Sequence, residues 1–471
     1  MYNLTKKNPV KFITISILTT ICSSNISADE MSDKIADLQR QIDELKAAAS
    51  KNTARIEANK KAQNVARLSP GGPEVSFPGQ YRMNFYSADN DQKEDQQTAT
   101  RVRIRQSIDL KFDEQFKTHL QLQLNHTTSN VSTAGDKDGN DVRVRHAVID
   151  YTAENGIQTK AGIVPVTEYY NDAMYSWDWD YNPVAAEVFV PVGDTTLHAF
   201  AGNLNEGQEN VRSDDTVHYQ VDAIVPLSGN NQLVFSGTAI TMKKAAGAGN
   251  GDAWHFNYGV SGSFKLDSDT ALSGFVMGSS TDGNLLGSGS DDANGFAARL
   301  EYASKLGRGH FGLLGTYASG DKDGTGFLMP MAFSGTYGYW GYTGILTVQG
   351  PTDTGFDGDG VNISNNGYGL ASVQAKYSMP ITSNLDGYIA AGWYGNTDAR
   401  GRDSRVGNDL LLMGTYHFNK VLSLDLGAAY AQLGDSVSGY WQGVQGGAGF
   451  NQNVRDDRNK LAVFGRLQAS F

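Results

Sequence analysis

The chain has 471 residues, a formal net charge of −12, 39% hydrophobic content and a single cysteine. The acidic balance argues against nucleic acid as a partner, and the absence of any uninterrupted apolar run of about 18 residues excludes a helical membrane protein. Abundant glycine (54 residues) and aromatic residues (10%) suit an all-β wall instead.

Lys6, Lys7 and Lys11 precede the apolar run Phe12 to Ile21, with small Ala28 at a cut site. Residues 1–28 therefore read as an export signal, too short in its apolar part to span a bilayer. Cleavage there removes Cys22, and with it disulfides, thiolate metal sites and cysteine nucleophiles.

Over residues 29–66 the pattern turns helical. Ile35, Ile42 and Ile56 fall in one heptad column, and Leu38 and Leu45 in the other. Acids Asp33, Asp37, Asp43 and Glu44 lie early, bases Lys51, Arg55, Lys60 and Lys61 late, as the helix dipole favours. The spacing predicts a self-associating coiled coil of two or three chains, or a single amphipathic helix packed on the β-rich remainder of the chain. Residues 67–74, rich in Pro and Gly, read as a linker.

From 75 to 471 short segments alternate apolar and polar residues. Leu120, Leu122 and Leu124 oppose His119, Gln121, Gln123 and Asn125; Trp254, Phe256, Tyr258 and Val260 form an aromatic-rich row. About 18 such segments are counted, with 16 as the alternative, joined alternately by short turns and long loops. The expected fold is all-β: a transmembrane antiparallel β-barrel preceded by a short α-helical coiled coil. Its long loops, including 320–366 with Tyr337, Tyr339, Trp340 and Tyr342, should lie outside.

Loop 166–183 carries Glu168, Asp172, Asp178 and Asp180 among Tyr169, Tyr170, Tyr175, Trp177 and Trp179. Arg82, Arg101, Arg103, Arg105, Arg143 and Arg145 fall on strand faces assigned to the lumen. Acid on an inward loop against arginine on the wall would set a transverse field in which small charged or dipolar solutes pass and apolar ones are penalised. The arginines add a preference for anions such as carboxylates or phosphate esters. The aromatic rings of 320–366 offer a second reading as a sugar track.

Leu461, Val463, Gly465, Leu467, Ala469 and Phe471 share one face of the last segment. A closing strand that ends on Phe resembles the recognition signal of bacterial outer-membrane proteins. Val142 to Tyr151, with Arg145-His-Ala-Val148, and Lys160 onward, with Ala161-Gly-Ile-Val-Pro165, resemble the strands before the constriction loop of DcaP-like coiled-coil porins and phosphate-selective porins. That resemblance implies a homotrimeric porin in the bacterial outer membrane, its coiled coil in the periplasm. Membrane lipid, lipopolysaccharide and small hydrophilic solutes would be its partners. A sugar-selective porin and a non-conducting adhesin or anchor are the competing classes.

The eight histidines are scattered, with neither HExxH nor G-x-S-x-G spacing, so no enzyme is expected. Asp136 to Asp141 and Asp321 to Gly324 lack the ligand pattern of a calcium loop, and no metal or cofactor is expected.

Overall fold

The computed structural model describes residues 66–67, 72–89, 96–129, 142–170, 182–205, 215–242, 253–282, 292–321, 326–329, 341–347, 361–364, 367–398, 404–434 and 459–471. Two short strands come first, β1 (Ala66–Arg67) and β2 (Glu74–Ser76). The wall comes next: β3 (Gly79–Asp89), β4 (Gln96–Lys111), β5 (Phe116–Ser129), β6 (Val142–Thr152), β7 (Gln158–Ile163), β8 (Val184–Val192), β9 (Thr195–Asn205), β10 (Thr216–Leu227) and β11 (Asn231–Met242). It continues with β12 (Ala253–Lys265), β13 (Thr270–Asp282), β14 (Asp292–Leu306), β15 (Gly309–Ala318), β16 (Leu370–Pro380), β17 (Leu385–Gly395), β18 (Arg405–His417), β19 (Leu422–Leu433) and β20 (Asn459–Ser470). Each wall strand pairs antiparallel with the next.

β20 returns to β3, with Ala462 opposite Ala88 and Ser470 opposite Gln80. The 18 strands thus close into a barrel with no free edge, as the count from alternation anticipates. Phe471 completes the seam by exchanging backbone hydrogen bonds with Gly79 at 2.9 and 3.1 Å. Its ring lies so close over Gly79 that a Cβ there would come within 2.6 Å of it. Tyr81 meets the ring edge-on at 5.5 Å.

Alternation decides the two faces. Val276, Leu300, Val373, Ile389, Leu412 and Leu426 project outward and are exposed. Rings flank that aliphatic belt, with Phe112, Tyr151, Tyr416 and Phe418 toward the short turns and Trp254, Phe296, Tyr317, Trp393 and Tyr430 toward the long loops. An apolar band between two aromatic girdles is the surface that a lipid bilayer requires of a barrel. Many inward positions are polar: Gln123, Glu187, His198, Gln220, Asn257, Ser279, Gln374 and Asp409 are all buried, beside apolar Phe275, Met277, Leu314 and Leu411. Arg at Val276 should therefore cost about 2–4 kcal/mol in urea unfolding from lipid. Arg at inward-facing Ser273 should leave stability unchanged within error, and equal costs at both sites would invert the assignment of faces.

The expected coiled coil must be corrected. Among the described residues no α-helix precedes the barrel; short strands do, and β2 already lies on the wall, with Glu74 opposite Lys111 of β4. The seam positions Ile35, Leu38, Ile42, Leu45 and Ile56 lie outside the described residues, as does the export signal.

A second expectation fails at 320–366. Parts of this connection fold inward and cover the inner faces of β12 to β18. Leu328 accepts from Asn257 Nδ2 through its carbonyl (2.9 Å), and its amide donates to Ser279 Oγ (3.1 Å). Ile345 and Leu346 both donate backbone N–H groups to Asp409 Oδ2 at 2.7 Å. Phe327, Thr343, Leu346 and Ile363 are fully buried as a result. A long insertion with its own apolar residues gains more by lining the interior than by standing in water.

Candidate functional site: the inward-facing wall and two inward segments

Four of the six arginines are buried on the inner wall, each donating to a glutamine. Arg82 Nε meets Gln468 Oε1 and Arg103 Nη2 meets Gln80 Oε1, both at 2.8 Å. Arg105 Nε meets Gln123 Oε1 at 2.5 Å, and Arg145 Nη1 meets Gln121 Oε1 at 2.6 Å. Arg101, opposite Asn84 of β3, and Arg143, opposite Gln123 of β5, share that face by register. Arg143 is the solvent-exposed member.

Alternation from Arg143 puts Arg145 on this face, but it would turn the next residue, His146, toward lipid. His146 pairs with Gln121 and Val144 with Leu122, so the register slips by one residue between them. This β-bulge turns Arg145 and His146 inward together, with Val144 still facing out at 48% exposure. His146 Nε2 then lies 3.1 Å from Asn182 Oδ1, at the far end of the 166–183 loop, and its Nδ1 lies 3.4 Å from His119 Nε2. His119 in turn meets Asp109 at 2.5 Å. This chain of contacts ties the arginine wall to the loop. Sequence reading missed it, because the histidines are 27 residues apart.

The first inward segment is the start of that loop. β7 stops at Ile163, and Val164, Val166 and Tyr170 are then buried against the inner wall. Thr167 Oγ1 donates to Glu187 Oε2 of β8 (3.3 Å), and Thr167 O accepts from Gln220 Nε2 of β10 (2.9 Å). Tyr170 reaches β13, its ring edge-on to Phe275 at 5.4 Å. Glu168 and Tyr169 border a cavity of about 320 Å³ whose far side is Gln232, Ser261 and Ser263. Burial, reinforced by the charge of Asp222, pushes the phenols of Tyr169 and Tyr170 up, so both stay neutral. Asp172, Tyr175, Trp177, Asp178, Trp179 and Asp180 lie outside the described residues.

On the facing wall, Glu301 of β14 gathers Arg299 Nη2 (2.9 Å), Lys376 Nζ (3.7 Å) and the Tyr342 hydroxyl. Lys376 Nζ sits 3.9 Å over the Tyr342 ring. Tyr342 belongs to the second inward segment, 341–347, and Tyr388 donates to its backbone carbonyl at 2.8 Å. Tyr337, Tyr339 and Trp340 lie outside the described residues. The interior thus carries arginines on β3, β4 and β6, carboxylates on β8 and β10, and a mixed cluster on β14 and β16. Among the described residues no group of three His, Cys, Asp or Glu side chains is placed to hold a metal.

No protein-family model matches the chain, and no curated protein is similar to it in sequence. Solved structures share its fold. OccK5 (OpdH) of Pseudomonas aeruginosa superposes with a TM-score of 0.52 at 9% identity, over 84% of this chain and 98% of that one. OccAB1 of Acinetobacter baumannii gives 0.51 at 12% identity, over 84% and 97%. The outer membrane protein opdK of Pseudomonas aeruginosa gives 0.50 at 11% identity, over 84% and 99%. At such identities the likeness is one of fold. It covers the barrel and replaces the resemblance to coiled-coil porins drawn from the sequence.

Proposed function

We propose that this protein is an outer-membrane porin through which small hydrophilic solutes diffuse down their gradients. One observation carries the reading: a closed 18-stranded barrel, apolar and girdled outside, carries many polar and charged side chains on its inner wall and is narrowed by segments folded inward. The same fold in the outer membrane protein opdK supports it. So does the lysine-flanked apolar run at 12–21, which suits export.

The inner-wall arginines Arg82, Arg101, Arg103, Arg105, Arg143 and Arg145 favour anions, and the segment holding Glu168, Tyr169 and Tyr170 forms the constriction with the rest of its loop. Self-association into trimers belongs to the same reading and would show as a trimer mass in native mass spectrometry. The deciding experiment is reconstitution of the purified protein in planar bilayers. Discrete conductance steps, with a reversal potential displaced toward the anion potential in a salt gradient, are expected. A membrane-inserted protein that gives no steps would instead be an anchor or adhesin.

A further inference from the structure

His198 on β9 is fully buried, with each ring nitrogen on a different carboxylate. Nδ1 lies 2.6 Å from Asp222 Oδ2 on β10, and Nε2 lies 3.2 Å from Glu187 Oε2 on β8. A ring that meets an ionised carboxylate from both nitrogens needs a hydrogen on each, which only the imidazolium has. Phe189 stacks on the ring at 4.3 Å and 14°, fixing its plane. Lys160 of β7 takes the other Glu187 oxygen at 2.7 Å. Asp222 Oδ1, also buried, has no hydrogen-bond partner among the described residues, which leaves the ring to neutralise that carboxylate.

The other titratable groups nearby are His218 of β10, buried against Phe200, and Glu168, Tyr169 and Tyr170 of the inward segment. Within the cluster itself, two cations balance two carboxylates only while the imidazole is protonated.

These two carboxylates also hold the inward segment. Thr167 Oγ1 donates to Glu187 Oε2, the same oxygen that His198 Nε2 faces. Gln220 Nε2 bridges Thr167 O (2.9 Å) and Asp222 Oδ2 (2.7 Å), the oxygen that His198 Nδ1 faces. Both tethers of Thr167 therefore converge on the clasp formed by one ring.

We propose that His198 is a positioning residue of the channel: as an imidazolium it draws Glu187 and Asp222 together and fixes the 164–170 segment at Thr167, and on losing its proton it lets that segment move off the wall. The inference rests on the porin reading. The sign is set by charge. The clasp is complete while the ring is protonated and is lost as pH rises, when two buried carboxylates face each other with Lys160 as their one cation. The pore is then wider and its open-state current noisier.

Single-channel conductance of the full chain, measured from about pH 6 to about pH 9, below the ordinary range of Lys and Tyr, tests this. Wild type should rise roughly two-fold across the interval, with added open-channel noise. His198→Gln should show the higher conductance throughout, with a flat profile. His198→Lys, which restores a cation without titrating in this range, should return the lower conductance, also flat. A wild-type conductance independent of pH, or a pH step retained in His198→Gln, overturns the clasp and leaves the channel intact. Absence of any wild-type conductance overturns the channel reading and the clasp with it. Should the variants fail to insert, the wild-type profile alone decides.

Discussion

Replacing Arg103 and Arg145 together by Gln should lower the ratio of anion to cation permeability by roughly three- to ten-fold. The two guanidinium groups lie on β4 and β6, buried on the inner wall, and donate to Gln80 and Gln121. Glutamine retains a polar, hydrogen-bonding side chain at each position, so the wall stays wet and the barrel closed while two positive charges leave the water column. The measurement is the reversal potential across a bilayer in a salt gradient. A second variant with Lys at both positions should keep the wild-type ratio, because charge and not the guanidinium fork sets the field. An unchanged ratio in the Gln variant, with conductance still present, would remove these arginines from selectivity.

A comparable effect on pore size is expected from Asp409→Ala. Asp409, on the inner face of β18, is 2% exposed and receives the backbone N–H groups of Ile345 and Leu346 on one oxygen, both at 2.7 Å. Alanine leaves two buried donors without an acceptor, at about 1–3 kcal/mol each. Tyr342 stays tied to Glu301, Gln374 and Tyr388, and beyond it the contact between Thr343 and Tyr394 hydroxyls at 2.6 Å is a weaker tether than that loss. The 343–347 part of the segment should leave the wall, so conductance rises by roughly half or more, and limited proteolysis should cut within 343–347, where wild type resists. Asp409→Asn keeps an acceptor oxygen and should behave as wild type. Protection of the segment in the alanine variant would show that apolar burial of Ile345 and Leu346 suffices to hold it.

The wall was legible because its determinants are local. Leu120, Leu122 and Leu124 against Gln121 and Gln123 need only a period of two to place them, and all 18 strands overlap segments that this alternation marks. His146 shows the limit of that rule. Counting by twos from Arg143 and Arg145 would turn it toward lipid with Val148 and Asp150, and only the slip in register between β5 and β6 returns it to the interior. A bulge depends on two strands at once and leaves no mark in either alone.

The inward course of the described parts of 320–366 was hidden for a related reason. Their holding contacts run from Leu328 to Asn257 and from Ile345 to Asp409, across 71 and 64 residues. His198, Glu187 and Asp222 are likewise brought together by pairing of β8, β9 and β10, not by any spacing in the chain. The heptads at Ile35 to Ile56 are a different case: the local pattern suits a stalked porin, whereas no α-helix precedes the barrel among the described residues and the barrel itself superposes on OccK5 and OccAB1.

The union of Phe471 with Gly79 has a bearing on biogenesis. Because the hydrogen bonds of Phe471 only finish a seam that β20 makes along Ala462 to Ser470, a chain whose β20 is unpaired exposes two raw strand margins, on β19 and β3, and is prone to aggregate.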